Sequence, residues 1–100
     1  MKRTMAIAVT WLCAASGALA QDTSSRNLAA ACAICHGTEG RPAPSAPLIP
    51  LAGLPSDHIA TQMRAFRDGR RPATVMHQIA KGYSDAQIDA IAAWYAVQKR

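Results

Sequence analysis

The stretch Cys32-Ala33-Ile34-Cys35-His36 decides the fold of this sequence of 100 residues. Its two cysteines stand three positions apart, so at the end of a helix their thiols point the same way, and the histidine follows directly. Cys-x-x-Cys-His is the attachment signature of c-type haem, in which two thioethers hold the porphyrin and the imidazole binds the iron. The motif therefore predicts Cys32 and Cys35 as covalent attachment points for one haem and His36 as an axial ligand.

Residues 1–20 follow the order of a secretory signal peptide. Basic Lys2 and Arg3 precede an apolar run from Met5 to Ala15, and small residues end at Ala18-Leu19-Ala20. We expect cleavage after Ala20, which leaves residues 21–100 as one mono-haem domain in the periplasm. The apolar run is shorter than the about 20 residues of a membrane span, so no stable membrane anchor is expected.

Other kinds of site also use paired cysteines. A thioredoxin-like redox pair lies in a βαβ unit, whereas helix formers and a proline-rich loop flank this motif. A structural zinc ion takes four Cys or His ligands, and outside the motif residues 21–100 offer only His58 and His77. A coincidental motif in a secreted protein, with the thiols joined or free, is a further alternative. Haem attachment fits best, because the signal peptide delivers the chain to the compartment where bacteria assemble c-type haem.

The composition describes one small globular domain. Half of the residues are hydrophobic and 17% are charged, which argues against disorder. Loss of Lys2 and Arg3 with the signal peptide lowers the net charge from +5 to +3, and this mild basicity gives no support for nucleic acid binding. The about 80 residues that remain form only a marginal core by themselves, so a prosthetic group is expected to complete it.

The remaining sequence predicts an all-α fold of four short helices. Each helix is bounded by a cap or a glycine: Ser24 or Ser25 to His36, Ser56 to Gly69, Ala73 to Lys81, and Ser84 to the end of the sequence. Ser56 is the expected cap of the second helix, and Ser84 with Gln87 forms a capping box for the last.

A proline-rich loop, 37–55, connects the first two predicted helices. Its prolines fix φ and lack an N–H donor, which excludes a helix interior or a central strand. They are Pro42, Pro44, Pro47, Pro50 and Pro55. Leucines and an isoleucine lie among them, and a loop of this length in a small domain usually wraps around a binding site. We therefore expect it to wrap around the haem.

An iron that only transfers electrons takes a sixth ligand, and Met opposite His is a common choice. Met63 is in register with the apolar face of the second helix, which favours a role in the core. Met76 follows the irregular turn Gly69-Arg70-Arg71-Pro72, from which the chain can approach the other face of the haem. We therefore predict Met76 as the second axial ligand. His77 is the competing ligand and is otherwise expected to be exposed to solvent beside the haem.

Four segments carry a resemblance to a known family: Cys32–Gly37, Pro50–Gly53, Phe66–Gly69 and Met76–Ser84. With them, the chain resembles class I c-type cytochromes over nearly the whole of residues 21–100. Within that group it is similar to the cytochrome subunit of flavocytochrome c sulfide dehydrogenases and to one half of the bacterial di-haem cytochromes c. The resemblance implies the small cytochrome c fold, in which first and last helices cross at small residues, here Ala29–Ala33 against Ala92, Trp94 and Tyr95.

In that family, a loop proline offers its carbonyl oxygen to the axial histidine, and this bond orients the imidazole and tunes its basicity. The resemblance makes Pro47 the candidate here, with Pro44 as the alternative. One Cys-x-x-Cys-His motif allows one haem per chain, so a two-haem protein would need a dimer or another subunit.

These features predict an electron carrier rather than an enzyme. The carrier exchanges single electrons with redox partner proteins. The alternative is the haem subunit of a flavocytochrome-type sulfide dehydrogenase complex, paired with a flavoprotein. A basic cluster has two interpretations: it steers an acidic partner toward the haem edge, or it is a solvated helix face that also contacts the haem propionates. Its members are Arg64, Arg67, Arg70 and Arg71.

Overall fold

A computed structural model describes the backbone of residues 16–100 and the side chains from residue 23 onward. Within this range the chain forms five α-helices and no strand: α1 Ser16–Ala30, α2 Ala33–His36, α3 Ser56–Arg67, α4 Met76–Ala80 and α5 Asp85–Ala96. A 3₁₀ turn, Thr38–Gly40, follows α2. The all-α prediction is confirmed, with one helix more than expected.

Most of the predicted signal peptide lies outside the described residues, which begin at residue 16. Its last five residues belong to α1, so the predicted cleavage site after Ala20 falls within this helix of the uncleaved chain. The signal peptide and its cleavage remain predictions. Within the described part of the chain, no helix has the length and apolarity needed to cross a membrane.

A tight turn at Ala31 and Cys32 divides the predicted first helix in two. The Cys32 N–H donates to the Ala29 carbonyl oxygen at 3.1 Å, a three-residue step that ends α1. Since α2 then begins at Ala33, the haem motif occupies a helical turn of its own. The alanine-rich sequence favours helix on both sides of this turn and contains no glycine or proline to mark it.

The later helices follow the predicted order with shifted starts. Pro55 rather than Ser56 is the N-cap of α3, and it makes no side-chain cap bond; its carbonyl oxygen accepts the first helical bond, from the Ile59 N–H at 3.1 Å. The capping box at α5 is confirmed, because Ser84 Oγ accepts from the Gln87 N–H at 3.2 Å and Gln87 Oε1 accepts from the Ser84 N–H at 2.9 Å.

The core lies where α5 packs against both α1 and α3. Its largest fully buried side chains are Tyr95, Ile88 and Ile91. Ala29 is fully buried, and the Tyr95 hydroxyl donates to its carbonyl oxygen at 2.6 Å. The expected small-residue crossing of the first and last helices is therefore present at Ala29, and it brings α5 beside the start of the haem motif.

Candidate functional site

The residues of the motif lie together on the single turn of α2 and on its N-cap, Cys32. The His36 N–H donates to the Cys32 carbonyl oxygen at 2.8 Å. Gly37 ends the turn with a φ of +85°, and a Cβ there would lie 2.2 Å from the Arg41 carbonyl oxygen, so only glycine fits. Both thiols are free, with Cys35 exposed and Cys32 half-buried. One turn therefore presents two sulfur atoms and an imidazole.

The following loop orients the imidazole of His36. Its Nδ1 lies 2.8 Å from the Ile49 carbonyl oxygen. Because a carbonyl oxygen can only accept, Nδ1 carries the hydrogen and donates it. The lone pair of the neutral ring is then on Nε2, which is the nitrogen that can bind a metal.

The carbonyl acceptor differs from the predicted Pro47 and belongs to Ile49. The N–H groups of Leu51 and Ala52 both donate to the Gly40 carbonyl oxygen, at 2.9 and 3.1 Å. These two bonds hold the loop just after Ile49 against the turn that follows the motif. Ile49 is closer to this anchor than Pro47 is, and its carbonyl reaches the imidazole. The expected kind of bond is present, and its residue is corrected.

Cys32 lies against the helix crossing and packs on the core. Burial raises the pKa of its thiol, and contact with the Tyr95 hydroxyl partly offsets this. Burial likewise raises the pKa of Tyr83 and of Tyr95. A thioredoxin-like redox pair lies in a βαβ unit, and the described residues around this motif form helices and no strand.

The zinc alternative finds no support in the described residues. No three His, Cys, Asp or Glu side chains there lie close enough together to hold a metal ion. His58 is exposed in the first turn of α3. His77 differs from its predicted exposure: it is half-buried, and its Nδ1 is shielded from solvent without a hydrogen-bond partner among these residues.

The two methionines occupy different environments. Met63 is 6% exposed within the core, in line with its predicted packing role. Met76 is the first residue of α4 and is half-buried. It packs against the same core cluster as Cys32, so this methionine lies at the edge of the core that the motif also contacts.

Large apolar side chains are exposed at three places along the chain. Ile34 of the motif is 87% exposed, Ile49 of the loop 57%, and Val75 just before Met76 53%. Ile34 and Val75 adjoin candidate ligands in sequence, and the carbonyl oxygen of Ile49 accepts from His36. Packing against a large apolar group such as a porphyrin would remove side chains of this kind from water.

The basic cluster is largely neutralised by aspartates. Arg64 contacts Asp85 at 3.1 Å and Asp89 at 2.7 Å, and Arg67 contacts Asp85 at 2.8 Å. The hydrogen bond from Arg67, then that from Arg64, lowers the pKa of Asp85. These pairs connect α3 with the start of α5, and they favour a paired helix face over an unpaired steering patch.

The other two arginines of the cluster are also engaged. Arg70 contacts Asp68 at 3.1 Å. Arg71 hydrogen-bonds the Gln62 side chain, and its guanidinium lies over the Phe66 ring, 4.8 Å from the centroid, a favourable cation–π geometry. Arg71 therefore supports the packing of α3.

Residues 20–94 match the protein family described as cytochrome C oxidase, cbb3-type, subunit III. Curated relatives show the same relationship. The thiosulfate dehydrogenase electron acceptor of Thiomonas intermedia is 40% identical over 103 residues, which cover 99% of this chain and 45% of the relative. This chain therefore spans less than half the length of that relative.

Two shorter relatives align over most of their own length. Cytochrome c-554(548) of Halomonas halodenitrificans is 39% identical over 72 residues, 68% of this chain and 84% of the relative. The cytochrome subunit of sulfide dehydrogenase of Chlorobaculum tepidum is 39% identical over 85 residues, 82% of this chain and 74% of the relative.

Proposed function

Because this chain belongs to the cytochrome c family, whose members transfer electrons through covalently bound haem c, we propose that it carries single electrons in the periplasm with Cys32 and Cys35 as the thioether residues and His36 as an axial ligand. The observation that carries this assignment is the bond from His36 Nδ1 to the Ile49 carbonyl oxygen at 2.8 Å. It leaves Nε2 as the imidazole nitrogen that can bind iron, next to the turn that holds the two free thiols.

The haem supplies a one-electron couple between ferric and ferrous iron when it is bound. The chain's own residues hold and tune it. Cys32 and Cys35 would hold it through two thioethers, and the loop keeps the imidazole of His36 in one orientation. The exposed apolar side chains of Ile49 and Val75 would exclude water from a haem packed against them, which would influence the potential of the couple.

Met76 is the second axial ligand in this proposal. Its half-buried position at the start of α4, against the core that also contacts Cys32, supports the assignment. Met63 is held inside the core at 6% exposure. His77 follows Met76 directly and is the competing ligand. Ligation by methionine stabilises the ferrous state relative to a second imidazole.

Export to the periplasm rests on the signal peptide proposed for residues 1–20, with cleavage after Ala20. The order of basic residues, apolar run and small residues supports it. Residues 21–100 then form the mature mono-haem domain. Mass spectrometry of protein purified from the periplasm tests this directly, since the proposal requires a mature chain that begins at Gln21.

The electron donor is proposed to be an enzyme that oxidises an inorganic sulfur compound. Two relatives support this by name, the thiosulfate dehydrogenase electron acceptor at 40% identity and the cytochrome subunit of sulfide dehydrogenase at 39%. The chain acts either as a free carrier or as the haem subunit of a complex with a flavoprotein. A flavin protein that co-purifies with the native chain favours the complex, and a stable lone monomer favours the free carrier.

Covalent haem is the central test of the proposed function. The chain is produced with bacterial haem attachment machinery and extracted with acidic acetone after denaturation. We expect the haem absorption to stay with the polypeptide, and we expect Cys32→Ser/Cys35→Ser to lose it to the extract. A wild-type chain that remains colourless in a host that matures other cytochromes would contradict the proposal.

A further inference from the structure

We propose that Arg41 is a positioning residue for the haem: it ties the loop that supports His36 to the segment 97–100 that follows α5. The proposal rests on the assignment of His36 as an axial ligand in the proposed function. It concerns how the chain keeps the Ile49 carbonyl oxygen on Nδ1 of that imidazole. Arg41 itself touches neither the imidazole nor the two thiols.

The guanidinium of Arg41 connects two separate parts of the chain. Its Nη1 donates to the Lys99 carbonyl oxygen at 2.8 Å, and its Nη2 donates to Glu39 Oε2 at 2.6 Å. Glu39 lies in the 3₁₀ turn directly after the motif and has a φ of +55°, a left-handed conformation that costs energy in a residue other than glycine. Arg41 thus holds this strained turn against the end of the chain.

The far end of the same loop is attached both to α5 and to the segment 97–100. The Gly53 N–H donates to the Tyr95 carbonyl oxygen at 3.0 Å, and Arg100 Nη2 donates to the Gly53 carbonyl oxygen at 3.3 Å. Ile49 lies between these attachments and the one at Arg41. The position of its carbonyl oxygen is therefore set from both sides by residues at the end of α5 and beyond.

Part of this attachment is close packing, because the Arg100 side chain lies directly against Gly53. Arg41, Arg100 and apolar residues of the loop that include Ile49 and Pro50 line a groove of about 460 Å³. Beside this groove, Arg41 is attached to Lys99 by a directional hydrogen bond. The planar guanidinium of Arg41 reaches two acceptors at once, which the single ammonium group of a lysine cannot reproduce in the same geometry.

The attachment by Arg41 would affect the equilibrium between ferric and ferrous iron. A hydrogen bond from Nδ1 to a fixed acceptor raises the basicity of the imidazole, which favours the ferric state. If Arg41 no longer holds the loop, the Ile49 carbonyl oxygen moves more freely and the bond weakens. The equilibrium then shifts toward the ferrous state, and the Nδ1 hydrogen exchanges faster with solvent.

The test uses the haem-loaded full chain and the variants Arg41→Gln, Arg41→Lys and Arg70→Gln. Spectroelectrochemical titration gives the reduction potential, and NMR gives the exchange rate of the His36 Nδ1 hydrogen. We expect both Arg41 variants to shift the iron equilibrium about threefold toward ferrous, where tenfold corresponds to 59 mV for one electron. Arg70→Gln removes the same charge from an exposed pair with Asp68 and is expected to leave both measurements unchanged.

A chain that stops after Gln98 provides an independent arm, since it removes the Lys99 carbonyl oxygen and the Arg100 guanidinium. If the three groups act as a unit, Arg41→Gln adds nothing further in this shortened chain. A wild-type potential in Arg41→Lys, or full additivity in the shortened chain, would overturn the proposal. Either result leaves the proposed function intact, whereas a wild-type chain without covalent haem overturns that function first.

Discussion

The hydrogen bond from His36 Nδ1 to the Ile49 carbonyl oxygen determines which ring nitrogen is free for iron. It joins a helical turn to a loop residue 13 positions later, so two local structures must form before the imidazole is oriented. Gly37 makes this possible, because its positive φ turns the chain directly after the motif. The tautomer of the His36 imidazole thus depends on the backbone of Gly37 and Ile49.

Replacement of Met76 tests whether its sulfur atom binds the iron. Met76→Ala removes the proposed thioether ligand, so we expect the haem-loaded ferric protein to lose the weak red absorption band of methionine bound to iron. Absorption spectroscopy measures this. The control is Met63→Ala, which leaves a cavity in the core and lowers the free energy of unfolding by roughly 2–5 kcal/mol but keeps the band.

Persistence of that band in Met76→Ala would contradict the assignment. Its loss in both variants would also count against it, since Met63 lies inside the core at 6% exposure. Unfolding of the control by denaturant shows independently whether the core has been weakened.

The residues of the motif could be predicted from sequence because their spacing is fixed by the cofactor that they serve. The acceptor for His36 could not, because any loop residue offers a carbonyl oxygen. Which carbonyl oxygen accepts from His36 depends on where Leu51 and Ala52 bind Gly40. This pairing involves only backbone groups, so side-chain patterns in the sequence do not predict it.

At the scale of elements, the boundaries of the helices depend on how each first turn satisfies its N–H groups. α5 begins with a complete capping box between Ser84 and Gln87. α3 begins at Ser56 after a proline, without a side-chain cap bond. Both starts contain a serine in a suitable context, and only one of these serines acts as a cap.

This difference predicts unequal effects of two matched substitutions. Ser84→Ala removes the Oγ that accepts from the Gln87 N–H, so we expect a loss of about 0.5–2 kcal/mol in the free energy of unfolding. Ser56→Ala removes no cap bond and is expected to change stability by only a few tenths of a kcal/mol. Denaturant unfolding of both variants makes the comparison, and equal losses would refute the capping assignment.

Sequence patterns located α3, α4 and α5 because their apolar residues recur at helical spacing. They missed the break before α2, since alanine favours helix equally on both sides of Ala31 and Cys32. At this break Cys32 packs against the core shared by α1, α3 and α5, which is a tertiary contact. Helix propensity contains no information about that contact.

Across the whole molecule, arginines of the basic cluster are paired with aspartates and do not form an unpaired positive patch. Arg64 and Arg67 bind Asp85 and Asp89, which ties the two longest helices after the motif to each other. Paired charges produce a weak field at a distance, so docking by a strong positive patch is not favoured on this face. The pairs contribute instead to the response of the domain to acid.

The pairing of Asp85 with the arginines predicts how the stability of the domain changes in acid. The folded state lowers the pKa of Asp85 from its ordinary 3.8, so the stability that this carboxylate contributes is present above pH 3.8 and is lost as the pH falls through the lower folded value. We expect Asp85→Asn to flatten the fall in melting temperature over that acid range. Circular dichroism melts at several pH values measure it.

Asp57→Asn is the matched control, because Asp57 also occupies the first turn of its helix and takes no part in the pairs with Arg64 and Arg67. The same flattening in this control would assign the effect to the helix terminus rather than to the arginines. If the melting temperature of Asp85→Asn falls in acid as that of the wild type does, the Asp85 carboxylate does not contribute to this loss of stability.

The bond between the Tyr95 hydroxyl and the Ala29 carbonyl oxygen spans 66 residues of the chain. The bond can form only after residues that are far apart in sequence have met. Cys32 packs against the core that this crossing completes, so closure of the crossing partly covers its thiol. Attachment of a porphyrin to Cys32 is therefore expected to be easier in the unfolded polypeptide than after the two helices have docked.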